Sequence, residues 1–159
     1  HDTTVVLATD IFDKELNDLR KNRWTKAFSG EDVISGTTES FSDLRATIVI
    51  EHIIQASDVS HTMQHWHVYR KWNKCLFKEM HKAFKEGRMA KNPADFWYKG
   101  ELGFFDNYVI PLAKKLEECG VFGVSSHEYL NYARQNRAEW EERGEGIVED
   151  LVKELSDDD

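Results

Sequence analysis

The chain has 159 residues, 40% of them hydrophobic and 31% charged, with a formal net charge of −8. That length supports one domain with a real core, and the composition is that of a soluble globular protein. The charge excludes nucleic acid or an anionic membrane surface as the main partner, and it admits an anionic small molecule only where a metal or a basic pocket reverses the local field.

With two prolines and nine glycines, most segments read as helix. Val6, Leu7, Ile11, Leu16 and Leu19 alternate with Asp and Lys at helical spacing up to about Asn22. Residues 29–42, with Gly30, Gly36 and Thr37-Thr38-Glu39-Ser40, read as a loop. Residues 44–57 are rich in Ile and Val, which suits a strand, but their length and the polar Arg45, Glu51 and Gln55 favour a mostly buried helix. Trp66, Tyr69, Asn73, Leu76, Met80 and Ala83 step by three or four along an amphipathic helix ending near Gly87, with Lys71, Lys74, Lys78, Lys82 and Lys85 as its solvated face. Asn92-Pro93 reads as a helix start. A further helix spans about residues 101–118 and stops before Gly120, with Pro111 predicting a kink or a restart. Ser125-Ser126-His127-Glu128 is a capping box opening a helix through Trp140, Gly144-Glu145-Gly146 breaks it, and the rest frays into an acidic tail. There is no internal repeat and no second domain. The fold class is all-α.

The residues that carry chemistry cluster in two places. Asp58 ends a long apolar run, where a buried carboxylate requires a metal or cation, although a helix-terminal Asp facing water is the ordinary case. His61 and His65 stand i,i+4 and could share a metal, with His67 beside them, but no HExxH pattern is present and three ordinary histidines at a loop–helix junction fit better. Phe104, Phe105, Tyr69 and Trp72 offer rings for a planar ligand; Tyr69 and Trp72, at helical spacing, read as core. Glu101 and Asp106 suit either an acid/base pair or helix-start surface carboxylates, and spacing does not choose. Cys75 and Cys119 form neither a C-x-x-C pair nor a disulfide framework, so they read as free thiols of a reducing compartment. No apolar run reaches transmembrane length.

Taken in order, Val6-Leu7-Ala8-Thr9-Asp10, Gln55-Ala56-Ser57-Asp58-Val59-Ser60, Tyr69-Arg70-Lys71-Trp72, Gly103-Phe104-Phe105-Asp106 and Pro111-Leu112 resemble the class I 3′,5′-cyclic nucleotide phosphodiesterases over residues 4–140. The resemblance implies an all-α catalytic domain. It implies hydrolysis of cAMP or cGMP to the 5′-monophosphate with two divalent metal ions, zinc with magnesium or manganese. It places Asp58 as a metal ligand and Thr9 and Asp10 in support of the metal site. Phe104 becomes the ring that stacks on the purine, with Leu76 on the opposite face, and Glu101 and His61 become base-contacting residues.

The sequence departs from the family pattern at three points. The early His-Asn-x-x-His and His-Asp motifs are absent, Glu101 stands where the family has a purine-reading Gln, and His61-Thr62 replaces an Asn that is often followed by Pro. The opening His1-Asp2, without a starting Met, reads as that of a fragment. The expectation is therefore the C-terminal part of the catalytic domain over residues 1–143, followed by an acidic tail over 144–159. No catalytic residue is placed within it. The N-terminal half of the domain is required as partner, alongside a cyclic nucleotide and, in one arrangement, a second copy as a homodimer. Without that half, apolar faces near Ile48, Ile53 and Ile54 are expected to be exposed. The resemblance implies a cytoplasmic protein, whose parent can attach to membranes through other segments. A reading of a different class is a non-catalytic helical regulatory or binding module that keeps the fold.

Overall fold

A computed structural model describes residues 14–28 and 38–157, and among them there is helix and no strand. Helix α1 (Lys14–Phe28) is followed by α2 (Thr38–Asp58), a 3₁₀ turn (Ser60–Met63) and α3 (Trp66–Lys85). A second 3₁₀ turn (Pro93–Asp95) leads into α4 (Trp97–Phe104), a π-helical stretch (Phe105–Val109), α5 (Ile110–Cys119) and the long α6 (Ser125–Asp157). The all-α expectation holds. Helix α1 runs past Asn22 to Phe28, because Ala27 is buried there, and α2 takes in 38–42 from the expected loop.

Helix α6 is the spine. It lies against α3, α4 and α5, while α2 packs on α5 and α1 on α2. Trp140, Tyr69, Phe77 and Phe105 are fully buried at the centre, with Tyr69 edge-on to both Phe105 and Trp140. Burying rings of this size supplies most of the favourable free energy of so aromatic a core.

The expected break at Gly144-Glu145-Gly146 does not occur: α6 continues to Asp157, with Gly144, Val148 and Leu151 buried. A helical glycine costs roughly 1 kcal/mol, which this packing offsets. At Gly144 the missing side chain is required, since a Cβ would stand 2.8 Å from the Tyr98 ring and 2.9 Å from that of Trp140. The expected tail is thus a packed helix up to Asp157, and its Glu154 pairs with Lys74 at 2.7 Å and Lys78 at 3.4 Å on α3.

Other boundaries follow local chemistry. Asn92 caps the turn at Pro93 by accepting from the Ala94 N–H at 3.1 Å, but α4 itself begins at Trp97, ahead of Glu101. Pro111 restarts the chain: the π stretch widens just before it, and α5 opens with the proline in its first turn. Helix α5 ends on Gly120 at φ 66°, a left-handed cap that suits glycine. The capping box does not form as expected. The N–H groups of Ser125, Ser126 and His127 donate to the carbonyls of Phe122, Gly123 and Val124, each at 3.2 Å, so the turn's backbone caps α6.

On α3 the buried stripe is Tyr69, Asn73 and Phe77. Leu76 and Trp72 are 45% and 55% exposed, so the reading of Trp72 as core is corrected. At about 100° per residue Tyr69, Asn73 and Phe77 stand at 0°, 40° and 80°, so Asn73 centres the buried stripe and Leu76, at −20°, falls just outside its Tyr69 edge. The expected exposure of Ile48 and Ile53 is also corrected. Ile48 is buried and Ile53 packs on the core, while Ile50 is the exposed one.

Candidate functional site

Two constructions meet at α4. The first is a buried chain of hydrogen bonds. The Tyr69 hydroxyl donates to Glu101 Oε2 at 2.6 Å, and Asn73 Nδ2 donates to the Tyr69 oxygen at 3.3 Å. Asn73 Oδ1 accepts from Trp97 Nε1 at 3.4 Å and from Arg70 Nη1 at 3.3 Å. Burial pushes the Glu101 carboxyl above its ordinary value, against the bonds from Tyr69 and Asn73. The Tyr69 hydroxyl is pushed well above 10.0, first by burial and then by the Glu101 charge, so tyrosine holds its proton and donates it. Tyr69 is core, as the sequence predicts, and it also fixes Glu101.

The second is a cleft of about 490 Å³ between α1 and the α4–α5 segment. Phe104 and Tyr108 stack beside it, ring centroids 5.4 Å apart and planes 10° from parallel. Arg20 and Lys21 enter from α1, Gln55 from α2, and Lys115 from α5. Among the described residues every charged side chain lining the cleft is a cation, on a chain of net charge −8. Lys115 lies 4.9 Å above the centre of the Trp24 ring. Burial and the Lys21 and Arg20 charges lower its pKa, while Glu118 raises it. Tyr108 is pushed up to about 12, mainly by burial, with Asp58 adding and Arg20 opposing.

The expected site residues do not converge. Phe104 lines the cleft, whereas Glu101, Leu76, His61 and Asp58 do not. Glu101 turns toward Tyr69 instead. Asp58 is exposed at the end of α2. His61 is half-buried in the 3₁₀ turn, and burial lowers its pKa. That turn is pinned by Asn136 of α6, whose Nδ2 donates to the carbonyls of Thr62 and Gln64 at 2.9 and 2.7 Å. His65 accepts or donates at 3.0 Å with the Tyr132 hydroxyl and stacks with His67, as ordinary junction histidines do. Asp106 forms a two-point pair with Arg137 at 2.9 and 3.1 Å, which holds it below the usual carboxylate range and apart from Glu101. Thr9 and Asp10 lie outside the described residues. Among the described residues no group of three or more His, Cys, Asp or Glu could hold a metal ion. None of the described helices is long and apolar enough to cross a membrane.

Sequence reasoning missed Lys115, Tyr108, Lys21 and Arg20. A signal for two of them existed: Phe104, Tyr108, Pro111 and Lys115 step by four, three and four, one face of a helix. The proline interrupts the face in sequence but not in space.

A family model for the 3′5′-cyclic nucleotide phosphodiesterase domain matches residues 3–123, well over half of the chain and ending just before α6. No curated protein and no solved structure matches.

Proposed function

Because the chain belongs to the 3′5′-cyclic nucleotide phosphodiesterase family, we propose that its described residues serve as a ligand-holding helical module of that fold and do not by themselves make a catalytic centre. The observation that carries this is one of charge. Among the described residues the cleft is walled by cations, while Asp58 lacks the two further donors that would join it in holding a metal. Two-metal hydrolysis requires several carboxylate and imidazole ligands. Zinc with magnesium or manganese therefore does not fit these residues, and no hydrolytic step is routed through them.

Family membership favours a second reading, in which a larger assembly hydrolyses cAMP or cGMP to the 5′-monophosphate with two divalent ions. That reading needs metal donors from outside the described residues, with Asp58 adding one. In it Phe104 supplies the ring face for the purine, and Glu101, which faces Tyr69 outside the cleft lining, has to turn to meet the base edge. An ionised Glu101 only accepts hydrogen bonds, so the N1–H and N2–H edge of guanine suits it better than adenine, and cGMP is the preferred nucleotide.

The test is incubation of the purified chain with cAMP or cGMP plus zinc and magnesium. We expect no 5′-monophosphate above buffer, together with saturable nucleotide binding that Phe104→Ala weakens roughly tenfold through loss of base stacking. Turnover that tracks the protein would overturn the module reading.

A further inference from the structure

We propose that α1 is a proton-released flap on the cleft: when His52 takes up a second ring proton, α1 parts from α2 and the α1 wall of the cleft opens. The device is independent of what the cleft holds and goes beyond the functional reading above.

The geometry centres on Trp24 of α1. Its indole meets an imidazole of α2 and an ammonium of α5. The His52 ring centroid is 4.8 Å away, with the planes tilted by 55°, and Lys115 Nζ is 4.9 Å from the indole centre. His52 itself is 3% exposed. Its Nδ1 lies 2.7 Å from the Ile48 carbonyl, an oxygen that only accepts, so the neutral ring carries its hydrogen there and acid adds one at Nε2.

That second proton puts a charge where burial disfavours it. The charged groups that face the ring are Arg20 of α1, Lys115 of α5 and Glu51 of its own helix, and Glu51 is already paired with Arg23 of α1 at 2.8 Å. Burial first, and then the Lys115 and Arg20 charges, lower the His52 pKa below the ordinary 6.5, while the Ile48 carbonyl and Glu51 oppose. A histidine depressed in the folded state binds its proton more tightly once released to water. Docking of α1 is therefore at full strength above 6.5 and weakens as pH falls from there toward the folded value.

The element that yields is α1. Among its described side chains only Arg20 and Ala27 are buried, whereas Trp140, Tyr69, Phe77 and Phe105 hold the other helices together at the centre. Lys21 lines the cleft from α1, so it leaves with the helix. Elements held by few buried contacts open at lower free energy than the core.

The experiment is amide hydrogen exchange of the whole chain between about pH 7.5 and 5.5, a span that brackets the ordinary histidine value. Rates are corrected for the intrinsic pH dependence of exchange, and α3 and α6 serve as the internal reference. Opening of α1 is expected to rise about three- to tenfold over that span, tenfold being the limit for one proton, while α3 and α6 hold steady. His52→Asn is uncharged at every pH and keeps a donor for the Ile48 carbonyl; His52→Phe keeps a ring against Trp24. Each should abolish the rise. The His52 ring of the wild-type chain, followed by NMR, should titrate with a midpoint below 6.5, a check that needs no variant if both of them melt early. Four results would each overturn the proposal: flat α1 exchange, an undiminished rise in either variant, equal loosening of α3 and α6, or a His52 midpoint at or above 6.5.

Discussion

On the side of α4 that meets α3 and α6, Tyr69, Asn73, Trp97 and Glu101 satisfy one another in a single buried chain of hydrogen bonds. On the side of the α4–α5 segment that faces α1, Lys21, Lys115 and Arg20 border open space beside two stacked rings. Both regions carry polar groups, but to different ends. A polar group whose partners come from its own fold fixes geometry and has little left to offer a ligand. Lys21 is exposed and Lys115 rests over Trp24, so neither lysine belongs to that buried chain. The difference argues that Glu101 is first a positioned structural carboxyl and that the ligand side of the molecule is the cleft.

The packed side should tolerate change least, and there the largest effect is expected at Gly144. A Cβ would collide with the buried Trp140 ring and with Tyr98, which is tied down because its hydroxyl donates to the Glu141 carbonyl at 3.0 Å. Gly144→Ala should therefore cost about 3 kcal/mol in chemical denaturation. Gly146, two residues on, has nothing within 4 Å. Gly146→Ala should instead stabilise by about 0.5–1 kcal/mol through helix propensity. Equal signs for the two would refute the packing account of α6.

Next in size is Tyr69→Phe. It removes the donor to Glu101 and the acceptor for Asn73, and leaving such groups unpaired costs about 1–3 kcal/mol. A variant as stable as wild type would mean that the hydrogen-bond chain does not order this side.

The smallest effect is one of pH. The folded-state pKa of Glu101 is raised above its ordinary 4.5, so the folded chain holds that proton more tightly than the unfolded one. This contribution to stability is fully present below about 4.5 and is lost as pH rises through the folded value. In Glu101→Gln that loss should vanish and the stability–pH curve flatten over that window. A curve parallel to that of wild type would show that the Glu101 carboxyl is not perturbed.

The fold class and the approximate places of most helices were legible in the sequence, because apolar spacing reports a buried stripe directly. The misses share a cause in three-dimensional packing. Gly144 looks like a breaker until Tyr98 needs the space. Leu76 looks like core until the stripe proves to centre on Asn73, which leaves Leu76 beyond its edge, and 38–42 look like loop because Thr, Glu and Ser also begin helices. Of the expected site, Phe104 was singled out as a ring for a planar ligand, and among those residues it lines the cleft. The cationic wall was not, since α1 brings Lys21 and Arg20 to Lys115 across some ninety residues of sequence, and no local pattern encodes that meeting.

The most direct test of the central contrast is chemical-shift mapping of the whole chain titrated with cGMP. The account predicts that perturbations centre on Phe104, Tyr108, Lys115 and Lys21, with the Trp97 indole and the Tyr69 region nearly still. Perturbations centred on Asp58, His61 and Leu76, with the cleft silent, would contradict it.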